Sequence, residues 1–159
     1  MTYRLGAIAL LSFAVVGCAP TAAVSADAKT TSAETAALVP LDIRTAKGVL
    51  HYKVEVATTP DEQARGLMYR TSLPPLGGMI FPMVPNRFAS FWMKNTYIPL
   101  DLIFIRADGT ISTIAAKAVP EDLTPIESVE PVAAVLEIIG GGAAANGISP
   151  GDKVSWKSR

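Results

Sequence analysis

The chain has 159 residues, half of them hydrophobic and 18% charged, with 14 basic and 14 acidic side chains. That balance suits one folded domain and excludes a charged disordered tail or a protein that seeks nucleic acid through basic excess. One Cys and one His exclude an internal disulfide and most metal or thiol chemistry.

Met1 to Arg4 carries one positive charge, and Leu5 to Val16 is an apolar run of 12 residues, the pattern of a secretory signal. Such a run is too short to span a bilayer, which needs roughly 20 apolar residues. Val15-Val16-Gly17-Cys18 resembles a bacterial lipoprotein signal, so residues 1–17 are expected to be removed and Cys18 to carry lipid. Ordinary signal peptidase has alternatives at Val24-Ser25-Ala26 and Ala26-Asp27-Ala28, which would leave a soluble periplasmic protein. Loss of residues 1–17 removes Arg4 alone and leaves 13 basic and 14 acidic side chains, so membrane attachment rests on lipid rather than charge. Ala19 does not look like a retention residue, which favours the outer membrane. Residues 18–37 are rich in Ala, Thr and Ser without an aromatic, and read as a flexible tether about 25 Å in r.m.s. span. Residues 38–159 then form the folded unit.

Leu38 to Thr45 is expected to pair, through Ala46-Lys47-Gly48, with a strand at Val49 to Val56. In the latter Leu50, Tyr52, Val54 and Val56 share one face, and His51 shares the other with Lys53 and Glu55, as an exposed strand residue. Thr59-Pro60-Asp61-Glu62 combines a capping box, an early proline and acid in the first turn, the start of a short helix with Ala64, Leu67 and Met68 on its apolar face. Gly66 predicts an early end to this helix or close backbone packing. Met79 to Met83 and Phe88 to Lys94 read as strands, with Pro82 marking an edge or a bulge. Leu100 to Arg106 and Thr110 to Val119 flank Ala107-Asp108-Gly109, the clearest hairpin signal. Val132 to Ile139 is a further strand, Gly140 to Asn146 a helical turn ended by Gly147, and Lys153 to Trp156 the closing strand. About eight short strands and one short helix predict a mainly β fold, a single compact antiparallel β-sandwich or partly closed barrel.

Glu62-Gln63-Ala64-Arg65-Gly66-Leu67-Met68-Tyr69-Arg70, Gly78-Met79-Ile80-Phe81, Phe91-Trp92-Met93-Lys94-Asn95-Thr96, Ile98-Pro99-Leu100-Asp101 and Gly151-Asp152 together resemble the prokaryotic family called domain of unknown function 192, also uncharacterised protein family 0127. The resemblance runs from about Arg44 to Trp156 in block order and spacing. It implies a compact β fold and no established activity.

Arg70 presents a planar fork suited to carboxylate or phosphate, and pairs internally as readily as it serves a ligand. Asn95 and Thr96 end a strand with polar groups for their own backbone or for a ligand. Asp101 and Glu137 are the acids expected to be partly buried, and in one cleft they would form an acid/base pair. These five residues are the candidate ligand-binding set, with no catalytic assignment. Met68, Met79 and Met93, together with Met83, cluster in sequence; core packing outweighs Cu(I) binding, for which three sulfurs must converge. No resident cofactor is expected. The expected role is therefore binding or scaffolding at the cell envelope, with the membrane as partner through lipid, and a small molecule or envelope component as ligand. An enzyme built on an Arg/Asp/Glu cleft and a Cu(I)-binding protein are the alternatives.

Overall fold

A computed structural model describes residues 38–157, so the expected signal segment, Cys18 and the tether lie outside the described residues. Nine strands and two short helices follow in the order β1 (Val39–Thr45), β2 (Gly48–Val56), α1 (Pro60–Arg65), β3 (Gly77–Arg87), β4 (Ser90–Phe91), β5 (Leu100–Ile105), β6 (Ile111–Ala118), β7 (Ile126–Glu127), β8 (Val132–Ile139), α2 (Gly142–Asn146) and β9 (Lys153–Trp156). Seven strands form one sheet in the order β6-β5-β8-β3-β2-β1-β9, and β4 pairs with β7 in a small second sheet. The mainly β expectation holds, and the sheet stops short of a closed barrel. Its outer strands meet at one corner, where Thr110 bridges Lys153 and Val154 N–H donates to the Gly109 carbonyl at 2.8 Å.

One pairing departs from the antiparallel expectation, because β2 and β3 run parallel. Parallel neighbours need a long crossover. The chain supplies one in α1 and the breaker-rich loop through Pro74 and Pro75. The expected strand at Phe88 to Lys94 shrinks to Ser90–Phe91, since this segment turns inward to bury Ala89 and Met93 instead of running on. β3 in turn continues to Arg87, and its register on β8 shifts between Pro82 and Arg87, the bulge that the proline predicts.

Side chains alternate across the large sheet and feed two apolar clusters. Ile103 and Ile105 of β5 and Leu136 and Ile138 of β8 join Leu41, Tyr52, Val54, Ile80 and Val154 on one face. Leu100, Leu102 and Phe104 of β5 and Val135 of β8 face the other way, against Leu67, Met79, Phe81, Met83 and Met93. This second face lies under α1 and the segment around β4, and it carries the site.

Candidate functional site: a cavity over a buried glutamate

α1 is short because both of its ends are specified locally. Thr58 and Thr59 N–H donate to Glu62 Oε2 at 2.7 and 2.8 Å, and the Thr59 hydroxyl accepts from Glu62 N–H at 3.2 Å, completing the capping box. Gly66 ends the helix at φ 46°, which favours glycine. A Cβ there would stand 3.3 Å from Phe81 Cζ and 3.9 Å from Glu137 Oε2. Both readings of Gly66 from the sequence hold, and its missing side chain leaves space above Glu137. Gln63 Nε2 donates to the Ala57 and Pro82 carbonyls at 3.2 and 3.0 Å, fixing the helix over β3.

The opposite wall is set by two left-handed residues, Tyr69 at φ 64° and Asn95 at φ 54°. Tyr69 N–H donates to the Asn95 carbonyl at 2.8 Å, and Asn95 Nδ2 donates to Tyr69 Oη at 2.9 Å. This reciprocal pair joins the turn after α1 to the turn after Met93. Thr96 N–H donates to the Met93 carbonyl at 3.0 Å, and Thr96 Oγ1 donates to the Lys94 carbonyl at 3.2 Å.

Between these walls lies a cavity of about 240 Å³. Leu67, Met68, Phe81, Met83, Phe91 and Trp92 give it apolar walls, Thr96 and Glu137 line it, and Arg65 and Arg87 add cationic side chains. Phe81 and Phe91 meet edge to face with centroids 5.1 Å apart. Phe88 is largely exposed and Trp92 half exposed. Glu137 is 5% exposed; its carboxyl has no hydrogen-bond partner among the described residues, and its oxygens reach the cavity rather than being sealed from it. Burial alone pushes it up to about 8, so the acid is mostly protonated at neutral pH.

Of the five candidates from the sequence, the structure brings Thr96 and Glu137 to this cavity, with Asn95 fixing its wall. Asp101 lies elsewhere. Leu102 stands opposite Glu137 and Asp101 opposite Ile138, so strand alternation puts the two acids on opposite faces and no acid/base pair forms. Asp101 is fully buried and accepts from the backbone N–H groups of Lys117, Gly141 and Ala143 at 2.7, 2.8 and 2.9 Å. Arg70 makes a two-pronged pair with Glu55 at 2.5 and 2.7 Å. The Arg/Asp/Glu cleft is thus dispersed over three places. Met79 and Met93 are buried in the second cluster, and Met68 lines the cavity. Among the described residues no three His, Cys, Asp or Glu side chains gather to hold a metal ion, and His51 pairs with Asp42 at 2.8 Å on the exposed surface. Sequence reasoning missed the aromatic walls and Arg87. Their signal was present only as scattered aromatics in the Phe81 to Trp92 stretch.

The family model DUF192, described as Uncharacterized ACR, matches residues 42–156. Among curated proteins none matches. The fold is similar to a protein of unknown function from Novosphingobium aromaticivorans DSM 12444, at 50% identity and TM-score 0.73, over 75% of this chain and 85% of that one. It is also similar, at 44% identity and TM-score 0.73, to a Sinorhizobium meliloti 1021 protein provisionally described as a transcription regulator, over 76% of this chain and 94% of that one.

Proposed function

We propose for this chain, which belongs to the DUF192 family, a binding role at the cell envelope: a lipid-anchored domain that takes up a small molecule in the cavity over Glu137. The observation that carries this reading is a buried acid without a hydrogen-bond partner, aimed into an open, aromatic-walled space. A buried polar group left without a partner costs stability, and such groups concentrate where a ligand completes them. Small-molecule sites are concave, with apolar side chains and a few placed polar groups; this cavity is smaller than most and adds Gln63, Arg65, Arg87, Thr96 and Glu137 to its aromatic walls. The nucleic-acid role that the Sinorhizobium meliloti neighbour's description would imply gains no support from 14 basic and 14 acidic residues.

Titration of small neutral, cationic and anionic fragments into the 15N-labelled full-length chain tests the reading. Shifts confined to Gly66, Met68, the Trp92 indole and Thr96, abolished by a cavity-filling Ser90→Trp substitution, are expected. No shift with any fragment would end it. The envelope placement is tested separately by fatty-acid labelling, which should mark the wild-type chain and not Cys18→Ser; an unlabelled wild type would remove the anchor.

A further inference from the structure

The cavity is charged asymmetrically. Among the described residues Glu137 is the one acid that lines it, whereas Arg65 and Arg87 both do, and the Lys94 ammonium lies 5.0 Å from the centroid of the Trp92 ring. Arg65 and Arg87 are exposed and Glu137 is buried, so the cations stand at the mouth and the acid at the base. We infer that the ligand is a small amphoteric molecule whose ammonium group sits against Glu137 and whose carboxylate or phosphate group is held at the mouth by Arg65 and Arg87. This deepens the binding reading above and rests on it.

Each end has its own argument. A guanidinium donates hydrogen bonds and accepts none, and its fork matches the two oxygens of a carboxylate or phosphate. An amine lacking an anionic group would meet only repulsion at this mouth. At the base, an ammonium brought to a desolvated carboxyl supplies the missing partner. The neighbours cannot compete for it: Met79 and Leu102 flank Glu137 in the sheet, and Glu55, beyond Met79 on β2, is already paired with Arg70. Because burial keeps Glu137 protonated at neutral pH, an arriving ammonium ion forms the ion pair only as the carboxyl proton leaves for solvent. Binding therefore releases protons, up to one per ligand.

The test is calorimetry of the full-length chain at pH 7 in two buffers of different ionisation enthalpy. The amphoteric probes are 5-aminovalerate, with pentanoate and pentylamine as its halves, and phosphoethanolamine, with ethyl phosphate and ethylamine as its halves. At least one amphoteric probe should bind about tenfold more tightly than either of its halves, with proton release, and the better of the two identifies the anionic group. Glu137→Gln should abolish the proton release and bring affinity down to that of the halves. Arg65→Ala, a change at an exposed position, should weaken the amphoteric probe and leave pentylamine no weaker. Pentanoate or ethyl phosphate binding as tightly as its amphoteric partner would overturn the inference, as would undiminished affinity in Glu137→Gln. If neutral fragments shift the cavity amides while no amphoteric probe binds, the inference fails and the binding reading stands. If nothing shifts them, both fail.

Discussion

Glu137 imposes a pH dependence on the whole domain. Its carboxyl ordinarily titrates near 4.5 and is raised in the fold to about 8. Between those values the folded chain holds a proton that the unfolded chain has lost, so stability falls as pH rises through this window, by about 1.4 kcal/mol per pH unit, and levels off above it. Arg65 on α1 and Arg87 on β3 line the cavity with this acid, and Glu55 of β2, on the same sheet face, is paired with Arg70. Urea midpoints measured from pH 5 to 9 should therefore decline in the wild type and run flatter in Glu137→Gln, with the variant overtaking the wild type at the alkaline end. Parallel curves would show that the acid is solvated. Gly78 helps to set this environment, because a Cβ there would overlap the Glu137 carbonyl oxygen. Only glycine lets β3 lie this close beside the acid.

At the level of elements, two local devices hold the site and its supports in place. Thr59→Ala removes the side-chain acceptor that caps α1 and should cost about 1 kcal/mol by thermal melting. Asp101 joins the end of β6 to the start of α2 through three backbone donors. Asp101→Ala leaves those donors without an acceptor and should cost about 3 kcal/mol or more, while the Gly66, Trp92 and Thr96 amides keep their shifts, because the site is on the opposite sheet face. Disturbance of the cavity amides would show that the two faces are coupled. The capping box, the alternation in β2 and the turn at Asp108-Gly109 were all legible in the sequence, since each is encoded within a few neighbouring residues. The parallel pairing of β2 with β3 was not, because it depends on where a crossover loop docks. The same limit applied to the site. Glu137 was singled out as a buried acid, yet its separation from Asp101 follows only from the Leu102–Glu137 register, and its aromatic walls come from β3 and the β4 segment, more than 40 residues away in the chain.

Across the whole molecule, stability depends on how the large sheet ends. Edge strands offer unpaired backbone groups to other chains, and one remedy is to curl the sheet until its edges meet. Here β6 and β9 are outermost, and the turn before β6 makes the meeting: Ile111 N–H donates to the Asp152 carbonyl at 2.8 Å, Val154 N–H donates to the Gly109 carbonyl at 2.8 Å, and Lys153 Nζ reaches Asp108 Oδ2 at 3.0 Å. Bonds to Thr110 and Lys153 hold the Asp108 carboxyl well below the usual carboxylate range, so this corner keeps its charge in mild acid. Gly109 is the residue on which the closure turns. It sits at φ 80°, and a Cβ there would approach the Val154 carbonyl oxygen to 2.6 Å. Gly109→Ala combines left-handed strain with that overlap, and should lower stability by about 2 kcal/mol. The loss should be local in its dynamics. Amide exchange at Ile111 and Val154 should accelerate at the parted corner, whereas β3 and β8, paired on both sides in the middle of the sheet, should exchange only through global unfolding. Equal acceleration throughout would mean that the corner closes no edge and that the sheet gains nothing from the meeting of its ends.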